Sequence, residues 1–147
     1  MTTDHLLSLI NSEIASFLSN REYYIRKKGE IAFEKKMHST FIASITKHLD
    51  LYFERAPKLF HTSQKLTKKL RNETNLSGHS KNLNRIIGQL KLDFGNPVLV
   101  TERFEKGTLS EKIRESICVS LGFFIKELGG SVNRDLVYLK QDFRCGS

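Results

Sequence analysis

Cysteine and proline are scarce in this sequence, with two residues of each. Two cysteines cannot build the disulfide framework of a small secreted protein. We expect Cys118 to be an apolar core residue, because it lies inside a helical pattern of apolar residues, whereas Cys145 lies close to the end of the sequence. The two prolines, Pro57 and Pro97, interrupt the chain at only two points, so long helices are favoured.

Long apolar runs and an N-terminal basic segment are also missing. The longest nearly apolar run, residues 117–125, is about half the length that a membrane span requires, so we predict no membrane insertion. The first twenty residues contain Asp4 and Glu13 but no lysine or arginine. A secretory signal would begin with basic residues followed by a continuous apolar stretch. The sequence therefore predicts a cytoplasmic protein, with the nucleus as the other compartment consistent with it.

Positive charge is concentrated in one part of the sequence. Residues 1–20 carry a net charge of −2, residues 21–91 carry sixteen basic and six acidic side chains for +10, and residues 92–147 carry eight of each. The whole excess behind the overall net charge of +8 therefore belongs to the middle of the chain. A charge excess of this kind favours an anionic partner, because a charge that only aids solubility would be spread evenly.

The remaining pattern is helical. Apolar residues recur at three- and four-residue steps, which is the period of an amphipathic helix, and the length suits one domain covering residues 1–147. We predict an all-α bundle of about five to six helices, with at most one short extended segment near 98–104. The predicted helices are 3–19, a short helix or continuation over 21–28, a long helix over about 30–56, then 57–71, 80–90, 109–128 and a last helix after Ser131.

Local signals set the expected boundaries. Thr3 is the expected N-cap of the first helix, and Thr108 to Glu111 resembles a capping box. Residues 72–80 are expected to be a polar loop, and Val98 to Thr101 is the one convincing extended stretch. Gly129 and Gly130 should end the helix before them. The predicted core consists of Phe41, Ile45, Ile86, Ile87, Leu90, Ile117, Leu121, Phe124 and Leu128.

The basic middle predicts a protein that binds the phosphate backbone of nucleic acid with little sequence specificity, alone or in a nucleoprotein complex. Lysine and arginine at helical spacing can neutralise successive phosphates. Because Lys58, Lys65 and Lys68 fall on one stripe of a helix, we predict that the helix after Pro57 carries the main phosphate contacts. Aromatic residues among these charges could stack on unpaired bases; they are Tyr23, Tyr24, Tyr52 and Phe60. The candidate contacts are Arg26, Lys27, Lys28, Lys58, Lys65, Lys68, Lys69, Arg71, Lys81 and Arg85. DNA and RNA both remain open.

One spacing suggests catalysis. Arg55 and His61 have the Arg-x5-His spacing that resembles HEPN-type ribonucleases, with Ala56 where that family usually has a polar residue. The resemblance implies that the Arg and His converge across a dimer on the scissile phosphate, and a histidine near neutral pKa could act there as general acid or base. The alternative is that Arg55 is a helix-end cation and His61 belongs to a basic face. Since no other catalytic motif is present, the sequence favours binding over catalysis.

A protein–protein adaptor or homo-oligomer is the other alternative. Its association surface would be the apolar stripe of residues 30–56, and its charge would serve an acidic protein partner. The salt dependence of binding distinguishes this alternative from phosphate binding, because only phosphate binding weakens steeply as the ionic strength rises. The sequence predicts no metal site and no cofactor, because the histidines lack ligand spacing and no glycine-rich phosphate loop is present.

Overall fold

The structure, a computed structural model, describes residues 2–55, 75–127 and 139–146, without the side chains of 53–55, 75–83, 124–125 and 127. Within these residues the protein is all-α and contains no strand, as the sequence predicts. The helices are α1 (Thr3–Leu18), α2 (Arg21–Lys28), α3 (Glu30–Arg55), α4 (Asn75–Asp93), α5 (Pro97–Glu105) and α6 (Leu109–Glu127). Residues 139–142 form a further helical turn. The predicted helix over 57–71, and the predicted boundaries at Pro57, at Gly129 and Gly130, and at Ser131, lie outside the described residues.

Helix α3 runs through the centre of the bundle. Its apolar residues recur every three or four positions, which places them on one side of the helix, and all six are buried: Phe33, Met37, Phe41, Ile45, Leu49 and Tyr52. Helices α1, α2, α4 and α5 pack against it. The prediction of a long helix over 30–56 is confirmed, but its apolar stripe forms the core and cannot be the association surface of an adaptor.

The other helices complete this core with apolar faces of their own. Leu6, Ile10 and Ile14 of α1 are fully buried, as is Leu121 of α6, and Phe94 at the end of α4 contacts Phe41 with 5.3 Å between ring centroids. Seven of the nine predicted core residues are confirmed as buried: Phe41, Ile45, Ile86, Ile87, Leu90, Ile117 and Leu121. Phe124 and Leu128 lie outside the described side chains.

The extended stretch predicted at 98–104 is wrong, because these residues belong to α5. Asn96 caps the helix through its side chain, which accepts a hydrogen bond from the Val98 amide at 3.0 Å. Pro97 occupies the first turn, where its missing amide hydrogen costs nothing and its fixed φ suits a helix. Val100 and Thr101 are buried against the bundle. Capping and burial therefore outweigh the strand preference of β-branched residues.

Two other predicted boundaries also differ. Thr2 caps α1 by accepting a hydrogen bond from the His5 amide, whereas Thr3 is buried and donates its hydroxyl to the Asp142 carbonyl at 2.8 Å. Helix α4 begins at Asn75, inside the predicted polar loop and five residues before the predicted start of the helix at residue 80. Adding a turn to an existing helix costs much less free energy than nucleating a new one. Once its buried residues have formed a helix, α4 can therefore extend into the polar turns at its N-terminus.

The capping box predicted at Thr108 is absent, although α6 does begin at Leu109. The Thr108 hydroxyl donates to the Arg103 carbonyl at 3.3 Å. The Glu111 carboxylate instead forms an ion pair with Arg114 on the next turn of α6. The Glu111 carboxylate therefore pairs with the Arg114 side chain rather than with a backbone amide at the start of the helix.

The C-terminal segment, residues 139–146, returns along α6 and is fixed there by a disulfide. Cys118 and Cys145 are bonded, and 27 residues separate them in sequence. Arg114 reinforces the contact by donating to the carbonyls of Phe143 and Arg144, each at 2.9 Å. The expectation that Cys118 is a simple core residue is therefore wrong. Disulfides are typical of oxidising compartments. This pairing therefore does not support the predicted cytoplasmic location.

Matched leucine substitutions test the assignment of the core. Leu121 is fully buried and Leu92 is 78% exposed, and both lie in helices. We expect Leu121→Ala to lower the free energy of unfolding by about 2–5 kcal/mol because it leaves a cavity, and Leu92→Ala to change it by less than about 0.5 kcal/mol. Urea denaturation followed by circular dichroism measures both. Equal effects of the two substitutions would contradict the packing described.

Reduction tests the disulfide. Constraining a loop of this length in the unfolded chain stabilises a fold by roughly 3–4 kcal/mol. We therefore expect a thiol reductant to lower the urea midpoint of the wild-type protein. The double variant Cys118→Ala/Cys145→Ala should have the lower midpoint with or without reductant. If the wild-type midpoint is the same under both conditions, the two cysteines are not bonded in solution.

Candidate nucleic-acid interface

Helix α2 is short and lies at the surface, because nothing in its sequence provides an apolar face. None of its residues is fully buried. Its last turn consists of Arg26, Lys27 and Lys28, and it ends at Gly29, whose φ of 92° is readily adopted only by glycine. The three cations lie at the negative end of the helix dipole, which they stabilise by about 0.3–1 kcal/mol each. They are all exposed.

An aromatic cluster seats α2 on the bundle. Tyr24 packs against both Phe17 of α1 and Phe33 of α3, with ring centroids 6.3 Å and 6.1 Å away, and the two phenylalanine rings stack on each other at 5.3 Å. Arg21 fixes the other end of the helix, since it forms a salt bridge with Glu105 at 3.1 Å and lies 5.7 Å from the Phe33 ring centroid. Tyr24 and Arg21 therefore hold α2 in place, and the charge of Arg21 is already paired.

The outward side of α2 carries an aromatic ring among exposed cations. Tyr23 is 57% exposed, and Arg26 and Lys27 follow it at the i+3 and i+4 positions that share its face. The Lys27 ammonium lies 5.0 Å from the centroid of the Tyr23 ring. Lys28 is 5.8 Å from the centroid of Tyr24. We call Tyr23, Arg26, Lys27 and Lys28 together the α2 basic edge.

The other predicted contact residues do not lie on α2. Arg85 lines a groove of about 610 Å³ between α4 and α6, together with Leu92 and Val119. Lys81 belongs to α4, but its side chain is not described. Five further candidates lie outside the described residues: Lys58, Lys65, Lys68, Lys69 and Arg71. Among the described side chains, then, the structure groups Arg26, Lys27 and Lys28 and places Arg85 on another helix.

The aromatic residues predicted for base stacking fall into different environments. Tyr52 is buried, and its hydroxyl donates to the Asp142 carboxylate at 3.1 Å. Burial, together with the charge of Asp142, raises the pKa of Tyr52 well above its usual range. Tyr24 is half-buried in the aromatic cluster, and Phe60 lies outside the described residues. Tyr23 is thus the one described member of this set that is exposed.

The residues of the ribonuclease hypothesis cannot be placed. Arg55 is the last residue of α3, but its side chain is not described, and His61 lies outside the described residues. No distance between the two groups follows from the structure. The Arg-x5-His spacing therefore stays a hypothesis from sequence.

A polar cluster between α1 and α3 was not predicted. The His48 Nε2 atom lies 2.8 Å from the Glu13 Oε1 atom, and Lys47 lies 3.4 Å from the same oxygen. Ser44, one turn before His48, has a buried hydroxyl without a hydrogen bond of standard geometry among the described residues. The Ser44 hydroxyl still lowers the pKa of Glu13, against the opposing effect of burial, and His48 and Lys47 lower it further.

This cluster links α1 to α3, and within it Ser44 and His48 are not hydrogen-bonded to each other. Nucleophilic catalysis by serine requires its hydroxyl to donate to a base, and Ser44 Oγ makes no such bond to His48. A sequence signal was present, because Ser44 and His48 are spaced by four residues on α3. The partner in α1, Glu13, could not be identified from that spacing. Among the described residues, no three histidine, cysteine or acidic side chains are grouped as a metal site.

The comparisons with known proteins add no relative. The sequence matches no protein-family model, and no curated protein and no solved structure resembles it significantly. None of the described helices is both long enough and apolar enough to cross a lipid bilayer. The chemistry of the described surfaces is therefore the basis on which a function can be assigned.

The polar cluster predicts a pH dependence of stability. Because the pKa of Glu13 is lowered in the folded state, its contribution to stability is present above about pH 4.3, the usual pKa of glutamate, and is lost as the pH falls through the folded-state value. We expect Glu13→Gln to destabilise the protein at pH 7 and to have a smaller effect at pH 3. Urea midpoints measured from pH 3 to pH 7 test this.

A matched control is Glu22→Gln, which removes an exposed carboxylate from α2. We expect Glu22→Gln to lower the urea midpoint at pH 7 by less than Glu13→Gln does, since Glu22 is exposed. The assignment would be contradicted if Glu13→Gln and Glu22→Gln had the same pH profile.

Proposed function

We propose that this protein binds nucleic acid through the phosphate backbone, with little sequence specificity, and that the α2 basic edge makes the contacts. The observation that carries the proposal is the exposed last turn of α2, in which three successive cations project from a helix that is anchored by other residues. Arg21 and Tyr24 hold the helix, so Arg26, Lys27 and Lys28 remain available to an anionic partner.

The charge balance supports the proposal. Residues 21–28 hold four basic residues and one acidic residue, Glu22, for a local net charge of +3. Cations that neutralise phosphates release condensed counterions, so each contact adds to affinity at low salt and steepens its salt dependence. Because phosphates are common to all sequences, contacts of this kind provide no base specificity.

Removing the charge of the edge tests the proposal. We expect the triple variant Arg26→Gln, Lys27→Gln, Lys28→Gln to bind every oligonucleotide sequence more weakly than the wild type. The slope of log affinity against log salt should become shallower by about 0.7–0.9 for each phosphate that is no longer neutralised. Fluorescence anisotropy at four salt concentrations measures both quantities, and glutamine preserves the helix propensity at these positions.

A second triple variant controls for net charge. Lys106, Lys112 and Lys126 are exposed residues outside α2, and their replacement by glutamine lowers the net charge by the same three units. We expect this control to bind more tightly than the edge variant, with a slope close to that of the wild type. Equal reductions in affinity in the two variants would show that only overall charge matters and would overturn the proposed site.

The predicted contacts at Lys65, Lys68 and Lys69 can be tested in the same way. Their replacement by glutamine removes three charges from the stretch that the sequence favours, and they lie outside the described residues. A larger reduction in affinity than in the edge variant would move the main phosphate contacts from α2 to that stretch. A smaller reduction would support the α2 basic edge.

Self-association is the second candidate function, on a different surface from the one predicted. Leu92, Val119 and Phe123 are 78%, 68% and 63% exposed and line the groove between α4 and α6. Exposed apolar patches are typical of protein–protein contact sites. Sedimentation of the wild type and of Val119→Glu at low and high salt tests this candidate. A dimer that persists at high salt and dissociates in the variant would favour it.

A further inference from the structure

We propose that the α2 basic edge selects single-stranded over duplex nucleic acid, because Tyr23 provides a face on which an unpaired base can stack. This inference rests on the proposed function, since it identifies which nucleic acid the same surface takes. It starts from a difference between two neighbouring tyrosines. Tyr24 packs in the aromatic cluster with Phe17 and Phe33, whereas Tyr23 remains 57% exposed.

The environment of Tyr23 is that of a stacking surface. Within the described residues its aromatic contact is with Lys27, whose ammonium lies 5.0 Å from the ring centroid. An ammonium at that distance covers one face of the ring and is attracted to its electrons. With Lys27 in this position Tyr23 is still 57% exposed, so ring surface remains accessible to a ligand. A flat π surface tolerates every base, so stacking there agrees with binding that ignores sequence.

The cations beside the ring fit the same ligand. Arg26 and Lys27 occupy the positions next to Tyr23 on the face of α2, and both are exposed. When a base stacks on Tyr23, the phosphates on either side of it come within reach of these side chains. Proteins that bind single strands without sequence preference combine these two elements, a basic surface for the backbone and aromatic rings for the bases.

A duplex cannot use the ring in this way. Its bases are paired and stacked on each other, and extruding one makes binding less favourable. A duplex can still contact the cations through its phosphates. The α2 basic edge should therefore bind a duplex by charge alone and a single strand by charge and stacking together.

The test compares ligands and variants in one assay. The probes are fluorescently labelled single strands of DNA and RNA, a DNA duplex of the same length and a DNA strand with abasic sites throughout. We expect the single strands to bind more tightly than both the duplex and the abasic strand, and tighter binding of the duplex would contradict the proposed selectivity. Stacking of one base corresponds to a loss of about 5- to 150-fold on its removal.

Substitution of the ring gives the matching measurement on the protein. Tyr23→Leu keeps an apolar side chain but removes the π face. It should weaken single-strand binding by the same factor and duplex binding by much less, because a duplex reaches only the cations. Tyr23→Phe keeps the ring and should bind like the wild type. Phe123→Leu removes an aromatic residue that is 63% exposed on another surface, and it should have no effect.

The outcomes distinguish this inference from the function on which it rests. If Tyr23→Leu binds single strands like the wild type while the charge variant of α2 binds weakly, phosphate binding stands and stacking is wrong. Equal affinity for the normal and abasic strands leads to the same conclusion without depending on how any variant folds. If the wild type binds no oligonucleotide at low salt, both the proposed function and this inference are wrong.

Discussion

Burial of one side of α3 is the constraint on which the other features of this structure depend. The buried stripe extends from Phe33 to Tyr52, which is a length of about 28 Å at 1.5 Å per residue. Four helices must cover it, and this requirement fixes their positions. The two ends of the stripe serve different purposes. Phe33 takes part in seating α2, whereas Tyr52 contacts Phe143, with ring centroids 5.5 Å apart. The basic surface and the C-terminal segment are thus held at opposite ends of one helix.

Apolar periodicity predicted most of the fold because a helix reveals its buried face in its own sequence. The stripe of α3 and the buried residues of α4 and α6 follow from spacing alone. Helix ends depend on single hydrogen bonds, and these compete with one another. Asn96 and Pro97 start a helix where Val98 to Thr101 suggest a strand. The bond between Cys118 and Cys145 forms because the C-terminal segment packs along α6. No local sequence pattern predicts that packing.

The candidate site was predictable only in its charges. Arg26, Lys27 and Lys28 are visible as a basic run in the sequence. The different roles of Tyr23 and Tyr24 could not be predicted. An eight-residue helix without buried residues has too little periodicity to show which ring faces inward. That distinction arises from Phe17 and Phe33, which come from two other helices and meet Tyr24 only in the folded protein.

The hydrogen bond between Thr3 and Asp142 brings the first turn of α1 beside the C-terminal segment, and an ion pair between Asp4 and Arg144 joins the same two places. A linker of a few residues could therefore join residue 2 to residue 146, which flank these contacts, without moving α1 or α6. New ends could be cut at Gly107, an exposed turn residue between α5 and α6, since exposed turns tolerate such cuts. A circularly permuted chain would keep the packing of helices α1 to α6 while changing the order in which they are synthesised.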